Sequence, residues 1–114
     1  MTISLSGIAQ FGVDNILLGT RTRSKVEFLV MKTLRDKVFP QASRDAASIP
    51  NRPAMFNMLS LKALPELQVE LTEAEVEALV KALESHEQNE NGPGVSVEAG
   101  SWFYPLLDSL KEKP

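Results

Sequence analysis

Apolar residues recur along the chain with two different periods, and the alternation between those periods predicts its elements. Residues 2–6, Thr-Ile-Ser-Leu-Ser, alternate polar and apolar as a strand with one buried face does. Leu5, Ile8, Ala9, Gly12 and Ile16 then fall at helical spacing. Gly7 and Gly12 would each cost a helix about 1 kcal/mol relative to Ala. The expectation is therefore an extended start and a short helix near Asp14–Leu18, stopped at Gly19.

A clearer helix follows. Ser24 and Glu27 have the spacing of a capping box, in which each side chain satisfies the other's unpaired backbone N–H. The apolar positions Val26, Phe28, Leu29, Val30, Met31, Leu34, Val38 and Phe39 continue to Pro40, which ends the helix. At about 100° per residue they cover well over half the circumference, which predicts the central helix of the fold. Residues 40–52 carry two prolines and many short polar side chains, and read as a long, mobile connection with at most one helical turn. Pro53 suits a first helical position. A helix over Ala54–Leu64 would then bury Met55 and Leu59, with Met58 beside them, and stop at Pro65.

Leu67, Val69 and Leu71 alternate with Gln68 and Glu70, predicting a second short strand. Thr72 and Glu75 form a second capping box, flanked by Leu71 and Val76 at the positions of a hydrophobic staple. The helix they open has an apolar seam at Val76, Leu79, Val80 and Leu83. Residues 87–94 are polar, end in Gly-Pro-Gly and read as an exposed, mobile loop. Val95 and Val97 alternate once more, so residues 2–6, 67–71 and 95–97 can supply a small two- or three-stranded β element. Trp102, Phe103 and Tyr104 read as extended, leading to a terminal helix that opens at Pro105 and is anchored by Leu106, Leu107 and Leu110. The fold class is mostly α: a compact bundle of about four helices in one domain spanning 1–114, with no internal repeat or linker.

Composition narrows the function classes. With 114 residues, 43% hydrophobic and 24% charged, the chain has ordinary globular proportions and suffices for one core. It has no cysteine, so disulfides, thiolate metal sites and thiol catalysis are excluded, which suits a reducing cytoplasm. The first basic residue is Arg21, so the beginning does not read as a secretory leader, and no apolar run approaches the ~20 residues of a membrane span. The single His86 lies in the last turn of an acidic helix, where the dipole favours a cation, and has no evident partners for a triad or a metal. No phosphate-binding glycine motif occurs. No catalytic residue, metal site or cofactor is expected.

The net charge of −3 is unevenly divided. Residues 1–57 hold eight basic against four acidic side chains, a balance of +4, and residues 58–114 hold four against eleven, a balance of −7. These features predict a non-enzymatic protein-interaction module, a small regulator or assembly component that binds another protein or itself. The alternative is nucleic-acid binding through a basic surface of Arg21, Arg23, Lys25, Arg44 and Arg52, against which stands a pI near 5.2. Trp102, Phe103 and Tyr104 are the candidate partner-binding residues, since consecutive aromatics in extended geometry cannot all face the core. Phe103 or Trp102 is expected to be buried, and Tyr104 to keep its hydroxyl near water.

Overall fold

The first helix is longer than its glycines suggest, and the rest of the chain is arranged around it. In the computed structural model, which describes residues 1–89 and 97–112, strand β1 (Thr2–Leu5) leads directly into helix α1 (Gly7–Leu18). Ser6 is the cap: its hydroxyl accepts the Ala9 N–H at 3.2 Å. The helix thus begins seven residues before Asp14, where the glycine penalty had placed it. The glycines are present because backbone and ring approach too closely for a side chain. A Cβ on Gly7 would lie 1.8 Å from the Leu61 carbonyl oxygen, and one on Gly12 would lie 2.2 Å from the Trp102 ring. Close packing outweighs the propensity term.

The remaining elements are α2 (Lys25–Val38), α3 (Gln41–Ala47), β2 (Ser48–Ile49), β3 (Arg52–Phe56), α4 (Met58–Ala63), β4 (Leu67–Glu70), α5 (Glu73–Asn89) and α6 (Val97–Lys111). The fold is mostly α with a small β element, as the periodicity predicts. Strands β1 and β4 pair antiparallel, with Thr2 opposite Glu70 and Leu5 opposite Leu67. Ile3, Leu5 and Val69 are buried, whereas Thr2, Ser4, Gln68 and Glu70 are exposed, so the period of two is that of a sheet with one wet face. The pairing extends one residue further: the Leu71 N–H donates to the Met1 carbonyl at 2.7 Å and the Met1 amine to the Leu71 carbonyl at 3.1 Å.

The capping box at Thr72 forms in full, whereas at Ser24 only the hydroxyl's half forms and the Glu27 carboxylate accepts the Arg23 N–H in place of the Ser24 N–H. At Ser24, the hydroxyl accepts the Glu27 N–H at 3.1 Å. At Thr72, the two bonds are reciprocal: the Thr72 N–H donates to Glu75 Oε1 at 2.9 Å and the Glu75 N–H to Thr72 Oγ1 at 3.2 Å. The seam of α5 faces inward, with Val76, Leu79 and Leu83 buried and Val80 half-buried.

The segment 40–64 departs most from its prediction. Where at most one helical turn was expected, residues 40–52 contain the two turns of α3 and the start of a β2–β3 hairpin. Pro50 followed by a positive φ at Asn51, 67°, has the pattern of a type II turn, which Asn tolerates. Pro53 lies in β3 instead of opening a helix. The helix start is Asn57, whose side chain accepts the N–H groups of Leu59 and Ser60. Helix α4 consequently buries Leu61, and Met55 of β3 and Met58 and Leu59 of α4 are exposed where the sequence pattern predicted them buried.

Helix α2 is not the central helix. Met31, Leu34 and Val38 are buried at i, i+3 and i+7, but Val26, Phe28 and Leu29 are 71%, 55% and 51% exposed. The central position belongs to α1, which packs against α2, α4, α5 and α6 as well as β1. Helix α5 continues to Asn89, past the start of the mobile loop expected over 87–94; residues 90–96, and with them Val95, lie outside the described residues. Val97 opens α6 and forms no strand, and Trp102–Tyr104 are helical, with Pro105 inside the helix and not at its start.

The close approach at Gly7 has a measurable consequence. Gly7→Ala should destabilise the protein by about 1–3 kcal/mol despite Ala's higher helix propensity, because the obstacle is a backbone carbonyl that cannot turn aside. Gly12→Ala should cost less, since the Trp102 side chain can rotate away. Urea midpoints of the two variants check this; a more stable Gly7→Ala protein would contradict it.

Candidate interaction surface

Two ionic clasps set how α2 lies on the rest of the molecule. Asp14, buried on α1, accepts from Arg35 Nε at 3.1 Å and from Arg44 Nη2 at 2.7 Å through the same oxygen. Arg44 also donates from Nε to the Phe39 carbonyl at 2.9 Å, and its guanidinium lies 4.6 Å from the Phe39 ring centroid. One carboxylate thereby joins α1, α2 and α3. The guanidinium-bearing side chains keep 30% and 24% of their surface, so water screens part of the attraction. Below them, Phe39 is one corner of a triangle with Phe11 and Phe56, ring centroids 5.3–6.2 Å apart.

The second clasp joins α2 to the α5 cap. Lys37 Nζ donates to Glu75 Oε1 at 2.7 Å and to the Glu70 carbonyl at 3.2 Å. Burial pushes the Glu75 carboxyl up, but the bonds from Lys37 and Thr72 outweigh it and hold the group below its ordinary range.

With its inner side held in this way, α2 presents Val26, Phe28 and Leu29 to solvent. The side chains of Val26, Val30 and Met31, with Ala78 of α5, line a groove of ≈ 540 Å³ between α2 and α5. Arg21, Arg23 and Lys81 also line it, together with Glu27 and Glu77, so its charge is mixed. Leu18, Met55, Met58 and Leu59 add further exposed apolar surface outside this groove, Leu59 at 76%. Sequence reasoning missed the exposure of these residues because amphipathic periodicity cannot tell a core-facing stripe from one left in solvent.

The basic residues named from the sequence are dispersed. Arg21 and Arg23 share the groove, Lys25 is exposed as the first residue of α2, and Arg52 is exposed on the hairpin. Arg44 is tied to Asp14. The three aromatics are engaged within the chain. Phe103 is fully buried, its ring against those of Trp102, Tyr104 and His86. Trp102 is half-buried over Gly12. Tyr104 is half-buried, and its hydrogen bond to Glu87, with some burial, raises its phenol above the usual value. Among the described residues, no three His, Asp or Glu side chains are gathered so as to hold a metal ion, and no helix is long and apolar enough to cross a membrane. Comparison with protein-family models, with curated proteins and with solved structures finds no match.

The lowered Glu75 carboxyl makes stability depend on acid in a defined direction. A depressed folded-state pKa contributes stability that is present above the unfolded-state value and lost as pH falls through the folded one. Glu75→Gln should therefore be less stable than the parent at pH 7 by about 1–2 kcal/mol, with the gap closing below the normal carboxylate range. Denaturant midpoints at neutral and acid pH check this; a gap that stays constant with pH would contradict it.

Proposed function

We propose that this chain is a non-enzymatic protein-interaction module whose contact surface is the outer side of α2. The observation that carries the reading is the exposure of Val26, Phe28 and Leu29 on a well-formed, doubly clasped helix. Single exposed apolar residues need no explanation, but neighbouring large ones on one rigid element are the mark of a surface that another protein covers. Burial of such side chains contributes roughly 1.5–3 kcal/mol each, enough to supply the centre of a contact. The apolar lining of the adjoining groove extends the same surface toward α5.

This reading moves the contact away from Trp102, Phe103 and Tyr104, whose rings are occupied in anchoring α6. It also favours a protein partner over nucleic acid, because Arg44 is held by Asp14, and Glu27 and Glu77 stand beside Arg21 and Arg23. A regulatory or assembly role in the cytoplasm remains part of the proposal.

Phe28→Gln and Leu29→Gln together test it, because Gln keeps the helix propensity while removing the apolar surface. The double variant should melt within a few degrees of the parent and bind the parent's partner, itself included, at least about tenfold more weakly. Affinity capture by the two proteins in parallel, with light scattering of each alone, reads both effects. Identical retained proteins and identical masses in solution would overturn the proposal.

A further inference from the structure

Lys25 and Asp36 stand at the wrong ends of their own helix. A cation in the first turn and an anion in the last turn both oppose the helix dipole. The other ions of those two turns are engaged: Glu27 accepts the Arg23 N–H at 2.6 Å, Arg35 binds Asp14, and Lys37 binds Glu75. Lys25 and Asp36 are exposed, and their side chains form no hydrogen bond or ion pair among the described residues. They are eleven residues apart, three turns or about 16.5 Å along the axis, and so point the same way to within about 20°. Leu29 and Lys32 lie between them in one stripe, with Phe28 on its flank.

We infer that this stripe pairs with the same stripe of a second copy, the two α2 helices running antiparallel across a two-fold axis between Val30 and Met31. The inference rests on the reading of α2 as the contact surface and names its occupant. Each Lys25 then faces the partner's Asp36 and lies beside the carboxyl end of the opposing helix, so both charges that oppose their own dipole complement the neighbouring one. Each Leu29 lies opposite the partner's Lys32, whose four-carbon stem covers it while the ammonium reaches water. The two Phe28 rings, 55% exposed in the single chain, flank the seam. An antiparallel arrangement in this register answers both dipole-opposing charges with a single self-complementary surface.

Charge reversal tests the pairing without threatening the fold, because Lys25→Glu and Asp36→Lys each improve the match to the helix's own dipole. Sedimentation velocity from low to high micromolar concentration should show a reversible dimer that weakens with added salt. Each single reversal replaces two attractions by two repulsions and should raise the dimer Kd about tenfold or more, with no fall in melting temperature. The double reversal, Lys25→Glu with Asp36→Lys, should restore the parent's Kd to within a few fold. A parent that stays monomeric throughout overturns the self-pairing, while the reading of α2 as a contact surface stands if Phe28→Gln with Leu29→Gln still abolishes capture of another protein. A dimer that the single reversals leave unchanged, or that the double reversal does not restore, overturns this register.

Discussion

The structure depends on how closely the backbone of α1 is approached at two glycines. At Gly7 the Leu61 carbonyl occupies the space of a side chain, and at Gly12 the Trp102 ring does so. These contacts bring α4 and α6 onto the same helix from different sides, while Ala9, Val13 and Leu17 present small or medium apolar groups to the core between them. Core packing leaves little slack, so the spacing at one glycine propagates to the neighbouring layers. A helix packed in this way is buried over much of its circumference. Two of its polar residues are enclosed: Gln10 donates to the Leu5 and Pro65 carbonyls at 3.3 Å, and Asp14 takes two arginines.

Because α1 holds the centre, α2 lies at the side of the core, and the two clasps set its rotation. Asp14 fixes Arg35 and, through Arg44, the α3 segment; Glu75 fixes Lys37 against the α5 cap. Both clasps act on the carboxyl half of α2, where Leu34 and Val38 are fully buried. The amino half, with Val26, Phe28 and Leu29, extends past this anchored region and keeps its apolar side chains in water. The exposed surface is thus a consequence of the core arrangement.

Local chemistry was legible in the sequence where a few neighbouring residues decide the outcome. The Ser24 and Thr72 caps, the strand alternation at 2–6 and 67–71, and the seam of α5 all depend on side chains within one or two turns of each other. What was not legible depended on distant partners. The value of Gly7 and Gly12 lies with Leu61 and Trp102, so propensity alone argued against α1. Asn57 caps α4 only because the hairpin places it, its N–H bonding the Ala47 carbonyl at 2.8 Å, and Pro53 offered a more conspicuous start. The apolar circumference of α2 suggested burial all round, whereas packing against α1 uses one side of it. The aromatic trio was similarly misread as extended; on a helix Phe103 enters the core and its neighbours flank it.

The claim that α1 and not α2 is the core helix is open to direct measurement by native-state hydrogen exchange in dilute protein. Amides of α1 from Val13 to Leu17 should exchange only through global unfolding, with opening free energies equal to the full stability, while those at Leu29 and Val30 exchange through a smaller local opening. Full protection along α2 combined with local opening of α1 would contradict the account.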